Sequence, residues 1–116
     1  MNSPTEIKLR RAENLLEVNF EDGAPVSLPA EYLRVESPSA EVQGHGPGER
    51  QLVARKKLVS ITGIEPTGNY AIRLIFSDGH DTGIYSWDYL QQLGREYPIR
   101  WRHYLSLLEE AGLTRE

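Results

Sequence analysis

Alternating polar and apolar positions near the start of the chain predict a pair of strands. Residues 6–10 and 16–20 each alternate with a period of two, as in strands that bury one face and expose the other. An Asp-Gly pair at Asp22 and Gly23 then favours the positive backbone angles of a tight turn. We therefore predict that residues 24–28 return as a third strand.

The next part of the chain combines a short helix with a long loop. Residues 29–34 suit a helix of one or two turns, with a proline tolerated at its start. Residues 37–50 contain three glycines and two prolines, which disfavour regular structure. The pattern predicts an irregular loop over this whole range.

Apolar runs later in the chain predict a second set of strands. Residues 58–61 and 70–76 are mostly apolar, and the turn-forming residues 65–69 lie between them, which favours an antiparallel pair. A second Asp-Gly turn follows at residues 78 and 79. Residues 81–85 are predicted to return as a short strand.

Two helices are predicted near the end of the chain. Ser86 suits the N-cap of a helix over residues 86–93, and Gly94 suits its C-terminal stop. A last helix is predicted over residues 99–111, with Gly112 ending it. Its apolar residues recur at spacings of three and four, and we expect them to form one buried stripe: Trp101, Tyr104, Leu105 and Leu108.

The two Asp-Gly turns share a sequence context that suggests an internal repeat. The residues that match at a spacing of 56 positions are Phe20 with Phe76, Asp22 with Asp78, and Gly23 with Gly79. A Tyr-Leu pair in each predicted short helix matches at a spacing of 57. Two halves built on one plan would share one sheet core. The alternative is chance, since short matches of common hairpin residues are frequent.

Together these elements predict one domain, over residues 1–116, with an α+β fold. We expect a mainly antiparallel, bent sheet or a pair of small sheets, covered by two short helices and a longer C-terminal helix. Hydrophobic residues make up 39% of the chain and charged residues 26%, which is ordinary for a folded domain. A chain of 116 residues has room for one core.

Charge and cysteine content exclude several classes of function. The chain has no cysteine, so it offers no thiolate nucleophile, disulfide or cysteine ligand for zinc or iron–sulfur clusters. Its net charge is −4, which gives no overall attraction to nucleic acid or to an anionic membrane. No apolar run is long enough to cross a bilayer, and the polar start lacks the features of a signal peptide. We therefore expect a soluble, cytoplasmic protein that binds neither nucleic acid nor membrane.

The second Asp-Gly turn and the long loop contain the main candidates for chemistry. Residues 78–81 read Asp-Gly-His-Asp, and the loop contributes Glu41 and His45. If the loop folds onto the turn, His45, His80, Asp81 and Glu41 could form a mixed oxygen and nitrogen metal site, as in non-haem iron enzymes. The interpretation that we favour is that His80 and Asp81 hydrogen-bond the loop and hold it against the sheet.

Other catalytic patterns lack the sequence context that they need. The glycines of residues 44–48 are not followed by the Lys-Ser/Thr pair of a phosphate-binding loop. Ser37 or Ser39 could be combined with His80 and Asp81 into a Ser-His-Asp set, but the chain has no Gly-x-Ser-x-Gly nucleophile elbow. We therefore expect neither a nucleotide-binding protein nor a serine hydrolase.

The aromatic residues of the second half are expected to be mostly core. Tyr85 and Tyr97 are the members of this cluster that we predict to be exposed. His103 lies between two aromatic residues of the last helix, and we expect it to be an ordinary exposed residue rather than a ligand.

Three blocks of sequence resemble a known family. They are LRVESPSAEV at residues 33–42, GHGPG at 44–48 and DGHDTGIYSWDYL at 78–90. The chain is similar over its whole length to the gamma-butyrobetaine hydroxylase N-terminal-like domains, which include bacterial stand-alone domains of unknown function. Similar domains begin the gamma-butyrobetaine and trimethyllysine hydroxylases and end some P-loop ATPases with iron–sulfur clusters. In none of these does the domain hold the main active site.

The resemblance also implies where a metal would be expected and why this chain should lack it. In the hydroxylases the domain binds a structural zinc through three cysteines and one later histidine. Ser37, Ser39 and Val42 stand at the cysteine positions, and His80 stands at the histidine position. A structural zinc site needs four good ligands, so we expect no zinc here. The oxygenase part that holds iron and 2-oxoglutarate has no counterpart in these residues, so hydroxylase activity is not implied.

We therefore expect a non-catalytic accessory or protein-binding domain without a cofactor. The ATPase fusions would link it to iron–sulfur or cofactor metabolism. Its partner would be another protein or further copies of itself, and the residues predicted to form the binding surface are Ser37, Ser39, Glu41, His45, His80 and Tyr85. The alternative is a small metal-binding protein or enzyme that uses His45, His80 and Asp81, with Glu41 as a further ligand.

Overall fold

The computed structural model describes residues 3–43 and 51–116. In chain order the elements are strands β1 (Pro4–Arg10), β2 (Leu15–Phe20) and β3 (Val26–Pro29), helices α1 (Ala30–Val35) and α2 (Ala40–Gln43), strands β4 (Ile61–Thr67), β5 (Ala71–Phe76) and β6 (Ile84–Ser86), and helices α3 (Trp87–Arg95) and α4 (Tyr97–Ala111). The strands form two antiparallel three-stranded sheets, ordered β1-β2-β3 and β4-β5-β6. The predicted α+β fold, with a pair of small sheets and a longer C-terminal helix, is confirmed.

The two central strands build the core from their alternating side chains. In β2, every second residue is buried: Leu16, Val18 and Phe20. The corresponding strand β5 buries Leu74 and Phe76 in the same way. These residues belong to one hydrophobic cluster that also includes buried residues of α1 and α3. The sheets therefore share a single core, with helices packed against it.

The two halves of the chain follow the same backbone plan. Each half is a three-stranded meander followed by a helix, and each contains a tight turn whose glycine has a positive φ, of 94° at Gly23 and 92° at Gly79. The first strand of each sheet also carries a register shift at the equivalent place, between Pro4 and Glu6 in β1 and between Ile61 and Gly63 in β4. The repeat that the sequence suggested is present in the structure.

Two tyrosines show that the halves are related by an approximate two-fold axis. The Tyr32 hydroxyl in α1 donates to the carbonyl of Leu93 in α3, at 2.7 Å. The Tyr89 hydroxyl in α3 donates back to the carbonyl of Glu36 at the end of α1, at 2.5 Å. Tyr32 and Glu36 lie 57 positions before Tyr89 and Leu93. A reciprocal contact of this kind is the signature of a two-fold interface, here formed within one chain.

The prediction of an irregular loop over residues 37–50 is wrong in part. Residues 40–43 form α2, a single helical turn. The Ser39 hydroxyl accepts a hydrogen bond from the N–H of Glu41, at 3.2 Å, so a side chain satisfies a donor that the turn leaves unpaired. Composition alone did not reveal this local capping contact. Residues 44–50, including His45, lie outside the described residues.

Strand boundaries differ from the prediction mainly in the second sheet. Strand β4 covers Ile61–Thr67 and not residues 58–61, and it includes Pro66. A proline is tolerated there because β4 is an edge strand, where an N–H can be missing without breaking the sheet. Strands β3 and β6 also begin two or three residues later than predicted, at Val26 and Ile84.

The last two helices differ from the prediction in where α3 ends and in which residues of α4 are buried. Gly94 does not stop α3, which continues to Arg95. A Cβ on Gly94 would lie 2.5 Å from Cγ1 of Val26 in β3, so the glycine allows close helix-to-sheet packing. In α4, Leu105 is exposed and not part of the buried stripe. Gly112 ends α4 with a φ of 69°, as predicted.

Candidate functional site

The segment around the start of α2 meets the second tight turn in a partly buried group that we call the polar corner, formed by Ser37, Ser39, Glu41, His80 and Thr82. The Ser37 hydroxyl lies 2.8 Å from Nε2 of His80, and both residues are buried. The Ser39 hydroxyl lies 2.7 Å from that of Thr82. The corner therefore ties the segment after α1 to the hairpin between β5 and β6.

A carboxylate completes a chain of three polar groups in the polar corner. The Glu41 carboxylate lies 3.4 Å from Nδ1 of His80, on the opposite side of the ring from Ser37. The order serine, histidine, carboxylate is that of a hydrolase triad. However, Ser37 has no exposed surface, and a nucleophile must reach its substrate. The arrangement therefore holds the segment in place rather than attacking a bound molecule.

Close packing keeps the Ser37 hydroxyl enclosed. A Cβ on Gly83 would lie 2.6 Å from Oγ of Ser37 and 3.0 Å from the Tyr85 ring. The Tyr85 hydroxyl donates to the carbonyl of Leu33 and has no exposed surface. The prediction that Tyr85 is exposed is therefore wrong, because its ring belongs to the core.

Burial determines the charge of His80. Its side chain is 4% exposed, and burial, followed by the nearby Arg34 cation, lowers the pKa of His80 below its usual value against the opposing effect of Glu41 and Asp78. A lowered pKa keeps the imidazole neutral near pH 7. A neutral ring has one donor and one acceptor nitrogen, which suits its two contacts in the polar corner.

The turn residue Asp78 is held by two cations beside the polar corner. Its carboxylate lies 2.8 Å from Nε of Arg34 and 2.7 Å from Nζ of Lys56, and accepts from the N–H of His80. Burial would raise the pKa of Asp78, but hydrogen bonds from Lys56, the His80 N–H and Arg34 outweigh it and lower the pKa to about 2. This carboxylate therefore stabilises the turn as an anion.

The residues that stand at the zinc position of the similar hydroxylase domains do not fit a zinc site. Nε2 of His80 is hydrogen-bonded to the hydroxyl of Ser37, and Val42 has no donor atom. Structural zinc requires four ligands, mainly thiolate and imidazole. Among residues 3–43 and 51–116, no three His, Asp or Glu side chains are grouped closely enough to hold a metal ion.

The other predicted site residues are separated from the polar corner or lie outside the described chain. Asp81 contacts Arg73 of β5, which donates to its carbonyl at 2.8 Å and lies 3.6 Å from its carboxylate. Among the described residues, no hydrogen bond or ion pair joins Asp81 to residues 37–43 of the predicted loop. His80 does hold the segment after α1, through its contact with Ser37, as predicted. His103 is exposed, as expected.

An apolar groove that was not predicted from the sequence, which we call the α4 groove, lies beside the last helix. It has a volume of about 390 Å³ and lies between α4 and the segment 51–53. Its apolar walls are formed by Val35, Leu52, Val53, Ile99 and Leu107. Ile99 is 70% exposed, which is unusual for so large an apolar side chain. The signal was present in the helical pattern of α4, where Ile99 lies away from the buried stripe.

Two of the polar side chains along the α4 groove have partners within the protein. The Tyr104 hydroxyl donates to the carbonyl of Val53, at 2.6 Å. Arg100 forms ion pairs with Glu36 and Glu96, each at 2.7 Å. The exposed side chains of Gln51 and His103 also line the groove, but most of its surface is apolar.

Membrane insertion through a helix finds no support in the described part of the chain. None of its helices combines the length and the apolar character needed to cross a bilayer.

Comparison with known proteins places the chain in a family. Residues 7–91 match the family described as gamma-butyrobetaine hydroxylase-like, N-terminal. No functionally curated protein matches the chain. A crystal structure of a protein of unknown function from Acidithiobacillus ferrooxidans, assigned to the DUF971 family, is 40% identical, with a TM-score of 0.67 over 79% of this chain and 92% of that one.

Two structures solved by NMR cover the whole of this chain. One is 44% identical with a TM-score of 0.87 and is covered over 91% of its length. The other is 46% identical with a TM-score of 0.86 and is covered over 86% of its length. Both the sequence match and the shared fold lead to one conclusion. The chain belongs to the gamma-butyrobetaine hydroxylase-like N-terminal domain family.

Proposed function

We propose that this protein is a non-catalytic protein-binding domain and that the α4 groove is its binding surface. The observation that carries the proposal is the 70% exposure of Ile99 beside an apolar groove of about 390 Å³. Exposed apolar surface next to a concave site is typical of protein interfaces, where an apolar side chain of one protein fills a pocket of the other.

The state of the polar groups supports a protein rather than a small molecule as the ligand. A small-molecule site usually presents a few free polar groups that orient the ligand. In the α4 groove, Tyr104 and Arg100 are engaged by Val53, Glu36 and Glu96. What remains available is mostly apolar, which suits the side chains of a partner.

The buried polar corner supports a non-catalytic role. Ser37 and His80 are buried, and each makes hydrogen bonds within the protein. Of the residues first predicted to contact a partner, Glu41 alone among the described ones has an exposed side chain, at 65%. We therefore propose that the polar corner has a structural role and that a partner contacts the α4 groove instead.

An extract-binding experiment tests the proposed surface. The full chain, Ile99→Asp and Leu58→Asp are immobilised and exposed to native extract of the organism that makes the protein. Leu58 is a matched control because it is 90% exposed and does not line the groove. We expect a specific protein to be retained by the wild type and by Leu58→Asp but lost with Ile99→Asp. Retention of the same proteins by Ile99→Asp would contradict the proposal.

The alternative function, a small metal protein using His80 with Asp81, Glu41 and His45, has a direct test. We expect untagged protein to contain less than about 0.1 zinc or iron per chain, since a specific site would bind one ion with its full ligand set. One equivalent of either metal, lost on His80→Ala, would overturn our proposal in favour of the alternative. The link to iron–sulfur or cofactor metabolism and the cytoplasmic location stay predictions.

A further inference from the structure

We infer that the protein bound at the α4 groove is a second copy of this chain, joined through an antiparallel pair of α4 helices. This inference rests on the proposed function and names the partner. The surface involved is the outer face of α4, which adjoins the groove and shares Ile99 and His103 with it. We define the α4 face as Ile99, Arg102, His103, Ser106, Glu109, Glu110 and Leu113, all of them exposed.

The residue order of the α4 face is complementary to itself. Ser106 lies at its centre, and the residues three and four positions before it are His103 and Arg102. The residues three and four positions after it are Glu109 and Glu110. When two such helices pair in opposite directions about Ser106, Arg102 of one therefore faces Glu110 of the other. In the same way, His103 of one helix faces Glu109 of the other.

The apolar ends of the α4 face extend the same symmetry. Ile99 and Leu113 lie seven positions before and after Ser106, and both are exposed. An antiparallel pair brings Ile99 of one copy against Leu113 of the other. Within α4 the spacings of three, four and seven from Ile99 to Glu110 are those of helices that pack along a continuous seam, and Leu113 follows directly after Gly112, which ends the helix. A serine at the crossing point is small enough for the two backbones to approach closely.

The charged side chains of the α4 face, Arg102, Glu109 and Glu110, form no ion pair with other described residues. Glu109 and Glu110 also occupy the last turn of α4, where the helix dipole disfavours anions. A second copy explains both the missing ion pairs and the unfavourable position of these glutamates, because its Arg102 would supply a positive charge close to them.

A single-cysteine variant tests the geometry directly. The chain has no cysteine, so Ser106→Cys can form a disulfide only between copies, and only if the Cα atoms approach to about 4.4–6.8 Å. Ala12→Cys, in an exposed turn of the first half, is the control. Under mild oxidation we expect covalent dimer from Ser106→Cys at a rate at least tenfold above that of Ala12→Cys. Equal rates for the two variants would overturn the inference.

Charge reversal provides a second and independent test. The mass of the full chain in solution is measured by sedimentation between about 10 µM and about 1 mM, the range of weak protein association. We expect a dimer that is weakened at least tenfold by Arg102→Glu and by Glu110→Arg, and is restored in the double variant. Glu21→Arg, an exposed charge away from α4, should leave dimerisation unchanged.

The outcomes separate this inference from the proposed function. A chain that stays monomeric at about 1 mM, with no rescue in the double variant, overturns the dimer. If the same chain still retains another protein in an Ile99-dependent manner, the α4 groove remains a protein-binding surface with a different partner. If the chain neither dimerises nor retains another protein in an Ile99-dependent manner, both the inference and the proposed function are overturned.

Discussion

His80 is a buried residue whose neutral form matches its surroundings. Its ring lies between the buried Ser37 hydroxyl and the Glu41 carboxylate, while Arg34 adds positive charge nearby. Burial and the nearby Arg34 cation both make it unfavourable to protonate this ring. The polar corner should therefore lose stability in mild acid.

The lowered pKa of His80 predicts a specific pH dependence of stability. Because the folded protein binds a proton on His80 less readily than the unfolded chain does, the free energy of unfolding should fall as the pH decreases below 6.5, the unfolded value. His80→Gln should remove this part of the dependence, since glutamine does not titrate and keeps a polar group near Ser37. Urea unfolding between about pH 5 and pH 8 measures the effect.

The control for this prediction is Ala12→Gln, a change in an exposed turn of the first half that involves no titratable group. This variant should keep the pH dependence of the wild type. If His80→Gln loses stability with falling pH as steeply as the wild type does, the interpretation of the polar corner is wrong.

At the scale of elements, Gly94 determines how closely α3 packs on the first sheet. It lies inside the helix, where alanine is ordinarily more favourable by up to about 1 kcal/mol. Here a Cβ would lie 2.5 Å from Cγ1 and 3.0 Å from Cβ of Val26. Close packing therefore outweighs helix propensity at this position.

The contact with Val26 predicts strong coupling in a double-mutant cycle. We expect Gly94→Ala to destabilise the wild type by about 1–2 kcal/mol, since overpacking outweighs the gain in propensity. In the Val26→Ala background the two γ-methyl groups are absent and only the 3.0 Å contact with Cβ of residue 26 remains, so the same change should destabilise clearly less. Chemical denaturation of the four proteins gives the coupling energy. The same destabilisation in both backgrounds would refute the packing explanation.

Elements with strong local signals could be predicted from the sequence, and contacts between distant elements could not. The turns at Gly23 and Gly79 and the end of α4 at Gly112 follow from backbone preferences of a few neighbouring residues. The contact of Ser37 with His80 joins residues 43 positions apart and depends on how the halves pack. Similarly, the α4 groove needs a wall from segment 51–53, for which no regular element was predicted.

At the scale of the whole molecule, the chain is two similar halves joined around an approximate two-fold axis. The reciprocal bonds of Tyr32 and Tyr89 join α1 and α3 across this axis. Helix α4 begins 57 positions after α2, the spacing that relates the two halves, and forms one wall of the α4 groove. The family match ends at residue 91, before α4 begins at Tyr97. One wall of the proposed binding surface therefore lies beyond the residues that the family match covers.

The most direct test of the α4 surface is the concentration dependence of the amide NMR spectrum of the full chain. Between about 50 µM and about 1 mM, we expect shifts confined to residues 99–113 and to the facing segment 51–53. The polar corner and the outer strands β1 and β4 should stay unchanged. A spectrum that is constant over this range, or shifts that concentrate on the strand edges, would contradict the account.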